Sequence, residues 1–199
     1  MKKYCILILF LISTFCFAQN IPGKIVLNDG KELNGLLKVS FNKFVFRETK
    51  DSKVIRYGYK DAKYALLYFD DNKYMKLEFI PVKHQKKPIL FNVMIQDEMS
   101  LLNEVPIAQN SVTRTDGKIN PAIGVINSAT FYVKKKEDEF AQYYLAVGYI
   151  PKTGFYKVIR EYFTDCPELH AKVEKGEFEK KDYIEIVKFY NKNCAKGLK

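Results

Sequence analysis

The sequence predicts an α+β fold: a β-rich body over residues 19–150, as an open sheet, a sandwich or a small barrel, followed by a short three-helix tail over residues 151–199. Three observations carry this. Up to Ile150, short apolar or alternating runs are broken by turn residues, which is the pattern of strands. After Pro151 the apolar spacing lengthens to about 3.6 residues, the period of helices. The chain also holds 14 Tyr and 15 Phe, residues that fit a half-buried pleated surface.

Residues 1–18 stand apart from both regions. Lys2 and Lys3 precede an apolar run from Ile6 to Ile12, and Ala18 comes just before the first sustained polar residues. This is the layout of an export signal, too short for the roughly 20 apolar residues of a membrane span. The expected cut lies between Ala18 and Gln19. A rival reading is lipidation at Cys16, which would tether the protein to a membrane, but bulky Phe15 occupies a place where small residues are usual. The mature chain is therefore expected in the periplasm or outside the cell, with no transmembrane span. Cleavage takes 199 residues to 181, enough for one well-buried core or a core with an appendage.

The strands follow in order. Lys24 to Leu27 leads through Asn28-Asp29-Gly30-Lys31 into Glu32 to Val39, and Asp-Gly between two such runs marks a hairpin because the turn needs positive φ. Phe44 to Phe46 and Val54 to Tyr57 continue the style. Tyr64 to Phe69 and Tyr74 to Phe79 flank Asp70-Asp71-Asn72-Lys73 as a second hairpin. Ile89 to Ile95, Leu101 to Val105, Thr130 to Val133 and Tyr143 to Val147 complete the candidates. An eight-stranded outer-membrane barrel fits the length, but it needs about ten alternating residues per strand, more than these runs provide.

In the tail, Phe155, Val158, Ile159, Tyr162 and Phe163 share one helix face. Asp165 is placed to cap a second helix with Pro167 in its first turn, and Gly176 to end it. A third helix spans Lys181 to Tyr190, with Tyr183, Ile186, Val187 and Tyr190 on one side. Helices this short are unstable alone, so their apolar faces must pack on each other or on the body as one unit.

Signal removal leaves two cysteines, Cys166 and Cys194. In an oxidising compartment they most simply form one disulfide, worth roughly 3–4 kcal/mol by loop entropy. Two sharper readings compete. Cys166 at a helix N-terminus, with His170 one turn on, has the shape of a nucleophile and base. Alternatively Cys166, His170 and Cys194 supply three zinc ligands, with no fourth visible.

Other chemistry is sparse. His84 sits in the basic stretch Lys83 to Lys87 without a neighbouring carboxylate or Ser. No hydrolase, zinc-protease or phosphate-loop motif occurs, so no cofactor and no metal is expected. Asp70-Asp71-Asn72 reads as turn chemistry and lacks the spaced ligands of a calcium loop. The segment from Gln109 to Ser128 is a long stretch rich in Asn, Ser, Thr and Gly. Such loops are functional or disordered, and Arg114, Asp116 and Lys118 are its candidate ligand residues. Without Lys2 and Lys3, 33 Lys+Arg become 31 against 23 Asp+Glu, a net charge of +8. Export makes nucleic acid an improbable partner, leaving weak attraction to anionic envelope material or a merely solvated surface.

The segment from Gly23 to Gly35 resembles the first hairpin of Sm-like or SH3-like small barrels, which implies a hairpin and no ligand. Over most of the mature length the chain is similar to exported proteins of unknown function from Gram-negative bacteria. The tail segments Arg160-Glu-Tyr-Phe-Thr-Asp-Cys-Pro-Glu-Leu169 and Ile184-Glu-Ile-Val-Lys-Phe-Tyr-Asn191 are the most distinctive part. That resemblance implies no activity. The expectation is a non-enzymatic envelope or secreted binding module; the alternative is an exported hydrolase or thiol enzyme using Cys166 and His170.

Overall fold

Asp29 and Gly30 make the turn their sequence promises. Gly30 takes φ 87°, and the Lys31 N–H donates to Asp29 Oδ1 at 2.9 Å, joining β1 (Ile21–Leu27) to β2 (Glu32–Ser40). The structure, a computed structural model, describes residues 20–69, 73–105, 114–115, 118–119, 129–147 and 152–195. The expected cleavage site at Ala18 and Gln19, Cys16, the Asp70-Asp71-Asn72 turn and Asp116 lie outside the described residues.

From β2 the chain turns at Phe41 and Asn42, both left-handed at φ 50° and 55°, into β3 (Lys43–Arg47) and β4 (Ile55–Tyr57). It then returns to the other side of β1 as β5 (Ala62–Tyr68). A meander follows through β6 (Tyr74–Ile80), β7 (Ile89–Ile95) and β8 (Met99–Glu104). β9 (Arg114–Thr115) and β10 (Lys118–Ile119) pair with each other. β11 (Ala129–Lys135) joins β8, and β12 (Gln142–Val147) joins β11. The result is one open ten-stranded antiparallel sheet in the order β12-β11-β8-β7-β6-β5-β1-β2-β3-β4. Among the three architectures the sequence left open, the protein adopts the open sheet.

The sheet curls at its β1–β3 end. Gly23 and Gly35 face each other across β1 and β2. A Cβ on Gly23 would strike the Leu66 carbonyl and sit 2.6 Å from a Leu37 methyl; one on Gly35 would strike the Arg47 carbonyl and the Phe46 ring at 2.7 Å. Only a bare backbone permits that approach. The curl carries Phe44 of β3 to within 5.0 Å of the Phe79 ring on β6, between ring centroids. These two strands are separated in the sheet by β2, β1 and β5. One apolar face thereby closes on itself around Ile25, Leu37, Phe44, Leu67, Leu77 and Leu90. Asn42 at the hairpin tip completes the closure, its Oδ1 accepting the Leu90 N–H at 3.2 Å.

At the other end, helices cover the sheet. α1 (Lys152–Tyr162), α2 (Pro167–Glu174) and α3 (Tyr183–Asn193) bury Phe155, Ile159, Leu169, Ile186, Val187 and Tyr190 in one core with Met99, Leu101, Phe131 and Val133 of β8 and β11. The spacing read from sequence gives these faces correctly, and Gly176 ends α2 at φ 74°. The expected cap does not form: Cys166 occupies the N-cap of α2 without a side-chain cap bond, because the Asp165 carboxylate is drawn to Lys135 and Tyr190. Asn191 rivets α3 to β8, its Oδ1 accepting the Met99 N–H at 2.7 Å and its Nδ2 donating to the Met99 carbonyl at 2.9 Å. Among the described residues, no helix is long and apolar enough to cross a membrane.

Candidate functional site

The cysteines meet. Cys166, just before α2, and Cys194, just after α3, have Cα atoms 5.4 Å apart and their sulfurs in bonding contact, a disulfide-capable pair. Cys166 is 1% exposed. The His170 ring does not face a thiolate; its Nε2 bonds the Phe163 carbonyl at 2.9 Å. No three His, Cys, Asp or Glu side chains converge as metal ligands among the described residues, and the sulfurs that a zinc site would use are taken up by each other.

Beside this pair lies a polar clasp that the sequence did not reveal. Lys135, at the end of β11, donates to Asp165 Oδ2 at 2.8 Å, and Tyr190 of α3 donates to the same oxygen at 2.6 Å. The ammonium lies 5.4 Å from the Tyr162 ring centre and 5.6 Å from that of Tyr190, a cation between two aromatic faces. Tyr162 donates to Asp138 and accepts the Lys135 N–H at 3.0 Å. Burial pushes the Asp165 carboxyl up, but the bonds from Lys135 and Tyr190 outweigh it and hold the group below its ordinary range. Burial, with the carboxylates that they serve, raises both Tyr162 and Tyr190. This arrangement binds the tail to the sheet and leaves no reactive group open.

The opposite face of the sheet offers a recess. A groove of about 450 Å³ crosses β6, β7, β8 and β11, within the size range of small-ligand sites. Its floor is apolar: Ile80, Val93 and Leu102, which belong to a third, smaller core with Val82, Phe91 and Ala141. The segment after β6 seals that core, where the Ala141 N–H donates to the Pro81 carbonyl at 2.9 Å. Its rim carries both signs of charge, but unevenly employed. Glu78 is held by Lys76 at 2.6 Å and Glu98 by Lys136 at 3.2 Å, while Asp97 Oδ1 accepts the Glu98 N–H at 2.8 Å. Lys134 has no carboxylate partner among the described residues and touches only the Lys135 carbonyl, at 3.3 Å. Ser100 stands directly opposite it across the β8–β11 ladder.

Alongside this recess, Tyr132 packs its ring on Phe91 at 4.9 Å, close enough to Glu104 to feel its charge. Burial, then the Glu104 charge, pushes the Tyr132 phenol up to about 12. Burial also raises the Glu104 carboxyl.

Of the suspected ligand residues, Asp116 lies outside the described residues. Arg114 and Lys118 belong to the small β9–β10 pair, with Ile119 opposite Arg114 and Lys118 opposite Thr115. Sequence reading missed the groove because its floor comes from Ile80, Val93 and Leu102 on three strands, and its cation from Lys134 on a fourth. The one local hint was the Lys134-Lys135-Lys136 run. Compared with known proteins, the chain matches no family model, no curated protein and no solved structure.

Proposed function

We propose an exported, non-enzymatic module of the cell envelope or secreted fraction that holds a ligand or envelope partner through its β-rich body. The observation that carries this reading is the Cys166–Cys194 pair, two cysteines separated by 28 positions and brought together at the seam between α2 and α3. A structural bridge persists where thiols are oxidised, and the amino-terminal segment from Lys2 to Ala18 has the form that would send the chain there. Cleavage before Gln19 gives a soluble periplasmic or secreted protein; lipidation at Cys16 would instead anchor it. The net charge of +8 after loss of Lys2 and Lys3 favours anionic envelope surfaces over nucleic acid as surroundings.

The groove supports a binding role, since it combines an apolar floor with a few convergent polar groups. A thiol enzyme built on Cys166 and His170 would need that sulfur released and opened to substrate, and the ring turned from the Phe163 carbonyl. Fractionation of the host with intact-mass measurement tests the proposal. The expected species starts at Gln19, sits outside the cytoplasm and gains two hydrogens on reduction. Recovery of unprocessed chain from the cell interior with both thiols reduced overturns it.

A further inference from the structure

Resting on that reading of the body as an envelope binding module, we infer that the β2–β3 tip and the β6–β7 loop form one docking site for an anionic lipid bilayer. The Phe41 ring is its apolar wedge, and Lys38, Lys43, Lys83, Lys86 and Lys87 are its cationic rim.

Backbone strain, exposure and charge coincide at this corner. Among the described residues, three that are not glycine take positive φ, and all lie here: Phe41 and Asn42 in one loop, His84 at 70° in the other. A phenylalanine in that region is strained, and strain of this kind collects at working surfaces. Phe41 is also the most exposed large apolar side chain of the described residues, at 70%. The fold holds it out firmly. Val39 and Phe44 on either side pack into the curl core, and Asn42 accepts the Leu90 N–H at 3.2 Å. The strained turn thus supports a ring that belongs to none of the three cores.

The same Asn42 bond brings the cations together. Leu90 comes three residues after the exposed stretch Lys83-His84-Gln85-Lys86-Lys87, so the basic loop runs beside the tip. That loop is pinned as well: the Gln85 N–H donates to the carbonyl of buried Val82 at 3.0 Å. Lys38 and Lys43 share one face of the hairpin, Lys38 opposite Val45 and Lys43 opposite Ser40. None of the five lysines forms an ion pair with a described carboxylate. Glu78 and Glu104 flank Phe91, one residue past Leu90. Glu78, however, is held by Lys76, and burial raises the Glu104 carboxyl.

These properties select the partner. An anionic leaflet draws lysines to its surface, each strengthening attachment about fivefold, and its interface takes up an exposed aromatic ring. An acidic polysaccharide offers the charge without an apolar phase, and a phenyl ring has no hydroxyl with which to bond it. A protein partner would need an apolar centre depleted of charge, whereas this site has one ring among five cations.

Vesicle sedimentation of the processed chain tests the inference. The chain should bind vesicles of equal parts phosphatidylglycerol and phosphatidylcholine at least about tenfold tighter than pure phosphatidylcholine, and salt should weaken the contact. Phe41→Asn removes the ring and suits the left-handed turn. It should weaken binding about tenfold with an unchanged or raised melting temperature. Lys86→Gln with Lys87→Gln should weaken it about 25-fold. Lys157→Gln with Lys188→Gln removes the same charge from exposed sites on α1 and α3 and should change it by less than about twofold. The chain holds no tryptophan, so Phe41→Trp places a sole indole at the tip, whose emission should shift to the blue on the anionic vesicles. Equal binding to both vesicles, equal losses from the two lysine pairs, or an unshifted indole overturns the inference. Undiminished affinity in Phe41→Asn overturns it too, and with a loss in the loop pair would assign the site to acidic polymers. A processed, bridged chain that ignores anionic vesicles removes the bilayer contact while leaving the export and module reading intact.

Discussion

The two ends of the sheet dry the same apolar face by opposite means. At the β1–β3 end the sheet folds over itself, so that Phe44 reaches Phe79 and the cover is made of neighbouring strands. At the β8–β12 end the sheet stays open and a separate layer of three helices is laid on it, held by a cysteine pair, an aspartate clasp and Asn191. In both places an asparagine from the covering element satisfies backbone on the strand that it reaches: Asn42 on Leu90, and Asn191 on Met99. A self-covering sheet needs glycines where it bends and little else. A helical lid has weak local stability and needs fasteners. That difference explains why the cysteines and the polar clasp lie in the tail.

The largest expected effect comes from opening the curl. Phe44→Ala removes a ring that is 1% exposed and should cost about 4 kcal/mol in a denaturant melt. Gly35→Val attacks the same feature from the backbone side and should leave little soluble protein. If Phe44→Ala costs under about 1 kcal/mol, the two arms of the curl are not packed and the comparison fails at its first end.

Unfastening the lid comes next. Replacing Cys166 and Cys194 together by Ala should lower stability by about 3 kcal/mol. Reductant should reproduce the loss in the parent protein and do nothing to the double variant. Hydrogen exchange sharpens the contrast: amides of α2 and α3 should lose protection first, while those of β1 to β3 stay protected. Uniform loss over both ends would mean that the lid and the curl form one cooperative unit.

How much of this was legible in the sequence follows from the range of the forces involved. Asp29-Gly30 announces its hairpin, and Phe155, Ile159 and Phe163 announce their helix face, because each signal sits within a few residues of what it determines. The curl depends on Gly23 standing opposite Gly35, a register that neither residue announces alone. The Phe41-Asn42 turn was hidden because a phenylalanine, 70% exposed and left-handed, is an unlikely tip residue. Asp165 misled for the same kind of reason. Locally it is a good cap, but Lys135, 30 positions away, competes for its carboxylate. The cysteine pairing was legible from count, since residues 19–199 hold just Cys166 and Cys194, whereas the groove assembles from four strands and was not.

Smaller changes probe the fasteners singly. Asn191→Ala leaves both Met99 backbone groups without their side-chain partner and should cost about 2 kcal/mol. Asn42→Gly, which keeps the left-handed turn and loses one bond, should cost about 1 kcal/mol. Tyr144 runs the other way. Its side chain is 0% exposed between Phe155 and Phe163, and its hydroxyl has no hydrogen-bond partner among the described residues. Tyr144→Phe should therefore be neutral or stabilise by about 1 kcal/mol; a loss would point to a partner for the hydroxyl and to a more polar lid core.

The smallest effect is the one that distinguishes the two ends by pH alone. Asp165 is held below its ordinary range in the folded protein, so the folded state favours its ionised form. Stability from this group is fully present above the carboxyl's unfolded pKa of about 3.9 and is lost as pH falls through the lower folded value. The clasp should thus loosen in acid, and its salt bridge is partly exposed, so the loss is small and further reduced by salt. Exchange of α3 amides compared at pH 5 and pH 3 should show a gain in opening that Asp165→Asn abolishes, since the variant has no charge to lose. The β1–β3 curl is closed by apolar packing and the uncharged Asn42, so the substitution should leave its acid response unchanged. If Asp165→Asn shifts the acid response of the curl as much as that of the lid, the clasp does not act locally and the two ends are not independently fastened.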